Sequence, residues 1–128
     1  MRRIIIDTNV YVAFKRNVPD VIEVLRRVEY IGMNAVVLGE LHSGFKGGQK
    51  EALNIKELEE FLDTPRVNVI PVDELTAEFY AHVYWNLKRK GKPIPTNDMW
   101  IAASSLQHGL ALFTLDAHYN AVDGLMLT

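Results

Sequence analysis

The chain has 128 residues, of which 48% are hydrophobic and 23% charged, an ordinary composition for one folded domain and too short for two. It contains no cysteine, which excludes disulfides and thiolate zinc sites, and no segment approaches the roughly 18 apolar residues of a membrane span. The net charge of −2 argues against a uniformly basic nucleic-acid binder, but a sum can conceal carboxylates whose charge a bound cation would offset.

The first element is predicted at Ile4-Ile5-Ile6, a β-branched run suited to a strand buried on both faces. Basic residues precede it and Asp7 stops it after three residues, so it does not read as a signal peptide, and a cytoplasmic protein is expected. Thr8 to Phe14 can start a short helix. Pro19 and Asp20 open the next, with Val21, Leu25 and Val28 as its apolar face and Gly32 as its stop. Ala35 to Leu38 reads as a second strand, with Glu40 two residues beyond. Gly44, Gly47 and Gly48 mark a flexible connection over 44–50. A helix follows from about Lys50 to Leu62, with Ile55, Leu58, Phe61 and Leu62 on one face. Pro65 breaks it, and Val67 to Val72 is a third strand.

Leu75, Phe79, Val83 and Leu87 recur every four residues and predict a helix over 74–90. The basic turn Lys88-Arg89-Lys90-Gly91-Lys92-Pro93 ends it. Thr96-Asn97-Asp98 opens a helix that is apolar almost all round from Met99 to Ala103, hence well buried, and Gly109 closes it. Leu110 to Thr114 is a fourth strand with Asp116 just beyond, and Leu125 to Leu127 a short edge strand. Strands alternating with helices predict a central, mainly parallel sheet in a three-layer α/β/α sandwich.

Ligand sites in open α/β sheets gather beyond the carboxyl ends of the strands. Asp7, Glu40 and Asp116 follow predicted strands, and Asp98 lies on the first turn of the helix feeding the fourth. Four carboxylates on one rim raise one another's pKa values, a conflict that a divalent cation removes. Hard oxygen donors favour Mg2+ or Mn2+ over zinc. Such an ion can activate water against a phosphodiester, so no protein nucleophile is required. Each acid also has a local reading. Asp7 can cap the following helix, Asp98 can be a first-turn acid, Asp116 a turn or cap residue, and Glu40 a solvated helix residue.

Ile5-Ile6-Asp7-Thr8-Asn9-Val10 resembles the opening motif of PIN domains, particularly those of VapC-type toxins. Glu40-Leu41-His42-Ser43-Gly44 is similar to the family's second motif. Gly91 to Ala103 resembles the segment around its third acid, and Leu112-Phe113-Thr114-Leu115-Asp116-Ala117-His118-Tyr119 the closing motif. The segments occur in order from residue 4 to about 127, so the resemblance covers residues 1–128 as a single PIN-like domain. It departs at Gly39, where many relatives carry a small hydroxyl residue, and at Tyr119, where Phe is common.

The resemblance implies a metal-dependent endoribonuclease, the toxin half of a toxin–antitoxin pair. Asp7, Asp98 and Asp116 would bind the metal, and Glu40 would be the fourth catalytic acid. Thr8 and Thr114 would position a carboxylate or water. RNA would be the substrate, a cognate antitoxin the partner, and a homodimer the assembly. A catalytically silent PIN-like module for binding RNA or protein is the alternative. A phosphoacceptor domain would want a matched Lys near the last strand, and none stands out.

Three further groups have local readings beside functional ones. His118 suits a local hydrogen bond or packing more than a metal, and His42, His82 and His108 lack ligand spacing. The Lys88–Lys92 run suits a helix C-terminus or a rim for RNA phosphates that Lys15, Arg16, Lys46 and Lys50 could join. Tyr80, Tyr84 and Trp85 read as core or dimer surface before base-stacking surface.

Overall fold

The computed structural model describes residues 2–128; Met1, the first residue of the N-terminal run, lies outside them. The chain runs β1 (Arg3–Ile6), α1 (Thr8–Lys15), α2 (Pro19–Arg27), β2 (Tyr30–Asn34), α3 (Ala35–Gly47) and α4 (Glu51–Leu62). It continues through β3 (Val67–Ile70), α5 (Glu74–Lys90), α6 (Thr96–His108), β4 (Ala111–Phe113) and a 3-10 turn over Ala117–Ala121. The four strands form one sheet in the order β3-β2-β1-β4, and every pairing is parallel.

Ile4, Ile5 and Ile6 are fully buried, as a central strand covered on both faces requires. Burial of each such side chain is worth about 1.5–3 kcal/mol. The crossovers β1 to β2 and β2 to β3 step one way across the sheet, and β3 to β4 steps back past both. Right-handed crossovers therefore put α1–α4 on one face and α5–α6 on the other, the expected three-layer sandwich. The chain reverses direction across the sheet between β1 and β4, where a crevice opens beyond their carboxyl ends.

Three expectations between residues 30 and 50 are corrected. The second strand is Tyr30–Asn34, and Ala35 to Leu38 begin α3. Asn34 Oδ1 accepts the Val36 N–H at 2.7 Å, so a helix cap overrides the β preference of Val36 and Val37. Gly32 sits within β2 rather than ending a helix. A Cβ there would lie 2.5 Å from Ile70 Cδ1, so the missing side chain makes room for β3. The connection expected over 44–50 is shorter, because α3 persists to Gly47.

Smaller differences occur elsewhere. β3 ends at Ile70, before Pro71. Leu75 is exposed and Thr76 takes the buried place, because Asp73 and Thr76 form a capping box at the start of α5. Residues 125–127 contribute only a single parallel bridge, Leu112 to Leu127.

Gly109 closes α6 in the left-handed region at φ 63. A Cβ there would meet no neighbour, so the cost of Gly109→Ala is conformational. The variant is expected to lose about 1 kcal/mol of stability, measured by denaturant unfolding.

Candidate active site

Asp7, Thr8, Asn9, Glu40, Asp98, Asp116 and His118, with Pro95, line one open cleft of about 330 Å³ beyond the β1 and β4 ends. The four acids expected from the sequence are thus brought to one place by four separate segments. Asp7 is the residue after β1, and Asp116 lies three beyond β4. Asp98 is on the first turn of α6, whose N-terminus returns to the carboxyl rim because the helix runs back against the strands. Glu40 reaches the cleft from within α3, not from a strand end as expected.

Asp7 is buried, at 3% exposure. It caps α1, its Oδ1 accepting the Val10 N–H at 3.0 Å. Its Oδ2 accepts the Thr114 hydroxyl at 2.5 Å. Thr114 Oγ1 in turn accepts the Asp116 N–H at 3.0 Å. One hydroxyl therefore couples the segments after β1 and β4. The cap reading and the site reading of Asp7 describe the same carboxylate, whose two oxygens divide the tasks.

Glu40 is held similarly. Its Oε1 accepts the Thr8 hydroxyl at 2.6 Å and its Oε2 an Asn97 amide N–H at 3.2 Å. Asn9 donates to Asp116 Oδ2 at 2.9 Å. Thr8 and Thr114 were expected to orient carboxylates; the amides Asn9 and Asn97 were not. Both stand beside an acid at a helix start, where Asn ordinarily signals capping, so only the position of the neighbouring acid could have marked them.

His118 Nε2 lies 2.8 Å from Asp98 Oδ2, but without the alignment of a well-formed hydrogen bond. The contact agrees with a local role for this histidine. Tyr119 is fully buried, and its hydroxyl has no well-formed partner. Burial, with the Asp98 and Asp7 charges nearby, pushes the phenol far above its ordinary range, so it stays neutral. At this position an extra hydroxyl, compared with Phe, is placed beneath the acids.

Burial raises the Asp7 carboxyl above its ordinary value of 3.8, and the neighbouring charges of Asp116 and Asp98 add to the shift; the Thr114 and Val10 hydrogen bonds oppose it. Asp98 is raised as well, by burial first and by the Glu40 charge, against Tyr119 and His118. Both are unfavourable charges that a cation would relieve.

Among the described residues, no three donors are already drawn together as an enclosing metal cage, although four carboxylates border the same cleft. The two observations are compatible for a hard ion that takes one or two carboxylates directly and keeps waters. The all-oxygen donor set fits Mg2+ or Mn2+ better than zinc.

The basic residues are distributed unlike the expectation. Lys15 pairs with Glu57 at 2.7 Å and Lys46 with Glu51 at 3.3 Å. Lys15 and Arg16 line a separate groove with Tyr11, Leu41 and Phe45. None of these cations borders the acid cleft. Tyr80 stacks on Trp100 with centroids 4.1 Å apart, whereas Trp85 is 53% exposed.

No helix among the described residues is long and apolar enough to cross a membrane. The PIN domain family model matches residues 4–125. The chain is 30% identical to Ribonuclease VapC4 of Mycobacterium tuberculosis, over 95% of this chain and 92% of that protein. It is 32% identical to Ribonuclease VapC1 of Haemophilus influenzae strain R2866, over 85% and 83%. Among solved structures, it is similar to VapBC2 from Rickettsia felis bound to a DNA fragment from its promoter. The TM-score is 0.85 at 26% identity, covering 97% of this chain and 96% of that one.

Proposed function

The chain belongs to the PIN-domain family, with VapC ribonucleases among its relatives, and from that premise we propose that it is a metal-dependent endoribonuclease, the toxin of a toxin–antitoxin pair. The observation that carries the chemistry is the convergence of Asp7, Glu40, Asp98 and Asp116 on one cleft. The solved VapBC assemblies support a cognate antitoxin as partner. The reading includes a homodimer, which sedimentation of wild type and of Trp85→Ala, whose ring is exposed on α5, would test.

Asp7, Asp98 and Asp116 would hold Mg2+ or Mn2+, with Glu40 as the fourth acid. When bound, such an ion lowers the pKa of a water, offsets the phosphate charge and stabilises the leaving oxygen. The protein's part is positioning. Thr114 holds Asp7 and the Asp116 backbone, Asn9 holds the Asp116 carboxylate, and Thr8 with Asn97 fixes both oxygens of Glu40. These neutral donors orient the acids without adding cations that would compete for their charge. Water serves as nucleophile, so no side chain needs activation.

The test is cleavage of a panel of transfer, ribosomal and messenger RNAs by wild type and Asp98→Asn, with and without chelator. Chelation is expected to abolish cleavage and added Mg2+ or Mn2+ to restore it. Cleavage that survives chelation, or full activity in Asp98→Asn, would sink the mechanism. Binding of RNA without any cleavage would favour the silent module.

A further inference from the structure

The basic run at the end of α5 is divided by the fold. Lys88 lies over the rings of Tyr84 and Trp85, 5.8 Å from each centroid. Lys90 donates to the Ala121 carbonyl at 2.8 Å and to the Asp123 carboxylate, fastening the end of α5 to the segment after the 3-10 turn. Lys92 is different. Gly91, left-handed at φ 65, turns the chain out of the helix, and Lys92 stands exposed. Among the described residues it has no carboxylate within ion-pair distance.

Lys92 lines a recess of about 360 Å³ together with Lys90, Ile94, His118 and Asn120. His118 also lines the acid cleft, so the recess and the cleft meet across one imidazole. Pro93 lies in the recess wall and Pro95 in the cleft wall, so the strap after α5 runs along both.

Resting on the nuclease reading above, we propose that this recess is an RNA subsite, holding the backbone phosphate next to the one cut, with Lys92 supplying its charge. An RNA strand entering the cleft brings more than one phosphate towards four carboxylates. The scissile phosphate is served by the metal centre, whereas its neighbour is repelled unless a cation offsets the field. Lys90 is already matched by Asp123 and shapes the wall. Lys92 is unmatched and lies beside the cleft. A lysine ammonium is a compact point charge that holds a phosphate without bidentate geometry.

The test is binding of a fluorescein-labelled oligouridylate, about twelve nucleotides long, at several salt concentrations. The chain carries Asp98→Asn so that nothing is cut. Adding Lys92→Ala is expected to weaken binding about fivefold. It should also make the slope of log affinity against log salt shallower by about 0.7, one single-strand phosphate contact. Lys92→Arg should restore both. Lys56→Ala, which removes an equal charge from the exposed side of α4, should leave the slope unchanged.

Unchanged affinity and slope in Lys92→Ala would overturn the subsite and leave the nuclease reading standing, and an equal effect from Lys56→Ala would do the same. A Lys92 effect as expected, in a protein whose wild type cuts no RNA with metal present, would support the RNA contact and sink the nuclease reading instead. Inorganic phosphate that moves the Lys92 and Asn120 amide resonances while the oligouridylate leaves them still would make this a free-anion pocket and overturn the proposal.

Discussion

Asp7→Asn should reduce RNA cleavage by more than about 100-fold while making the metal-free protein harder to unfold at neutral pH. The activity estimate follows from the proposed role of Asp7 as a metal donor, whose loss should exceed the 10- to 100-fold effect typical of partners behind the ligands. The stability gain follows from the raised Asp7 carboxyl. A carboxyl raised in the folded state binds its proton more tightly there than in the unfolded chain. Its favourable contribution is complete below the ordinary value of 3.8 and is lost as pH rises through the folded value. At pH 7 the wild type therefore carries a buried charge that the amide lacks.

The amide can keep the α1 cap, because Asn accepts the Val10 N–H as Asp does. Its NH2 can face Thr114 Oγ1, which has a second lone pair after accepting the Asp116 N–H. Thermal melts of both proteins over pH 4–8, without and with Mg2+, provide the check. The wild-type deficit should grow as pH rises, and Mg2+ should narrow it by binding the folded wild type. A metal-free Asp7→Asn protein less stable than wild type at pH 7, but equal at pH 4, would contradict the assignment of strain to this carboxylate.

Thr114→Val should lose both stability and activity, the reverse of the first pattern in one respect. Valine keeps the shape but removes the hydroxyl that donates to Asp7 Oδ2 and accepts from the Asp116 N–H. A buried carboxylate oxygen is left without its donor, a cost of about 1–3 kcal/mol. The loss of orientation should lower cleavage roughly 10- to 100-fold. Thr114→Ser, which retains the hydroxyl, should recover most of the activity. Urea unfolding and cleavage of the same RNA separate the two effects. Wild-type cleavage by Thr114→Val would remove the hydroxyl from the positioning role.

Much of this arrangement was legible before any coordinates, for identifiable reasons. Asp7 and Asp116 follow short apolar runs that read as buried strands, and strand ends in a parallel sheet share a rim. Asp98 was legible because Thr96-Asn97-Asp98 opens an unmistakably buried helix. Glu40 was placed in the right cleft for the wrong local reason. Val36, Val37 and Leu38 have the composition of a strand, and only the Asn34 cap makes them helix. The amides of Asn9 and Asn97 escaped notice because their meaning depends on acids 107 and 57 residues away. The split of the basic run was also hidden. Lys90 and Lys92 are two residues apart, and only the left-handed Gly91 and the position of Asp123 give them different surroundings.

The strand order has a consequence for how such a protein can be made. β1 is the first of the four strands in chain order, yet one of its two sheet neighbours, β4, is the last of them. The acid cleft draws on residues from both halves of the chain, so an early portion carries only part of its lining. During translation the emerging polypeptide carries Asp7 and Glu40 long before Asp98 and Asp116 exist. A prematurely terminated chain lacking β4 leaves one edge of β1 unpaired and lacks the closing acid. Such a chain cannot assemble the four-acid cleft, which needs the segment after β4 as well as the segment after β1.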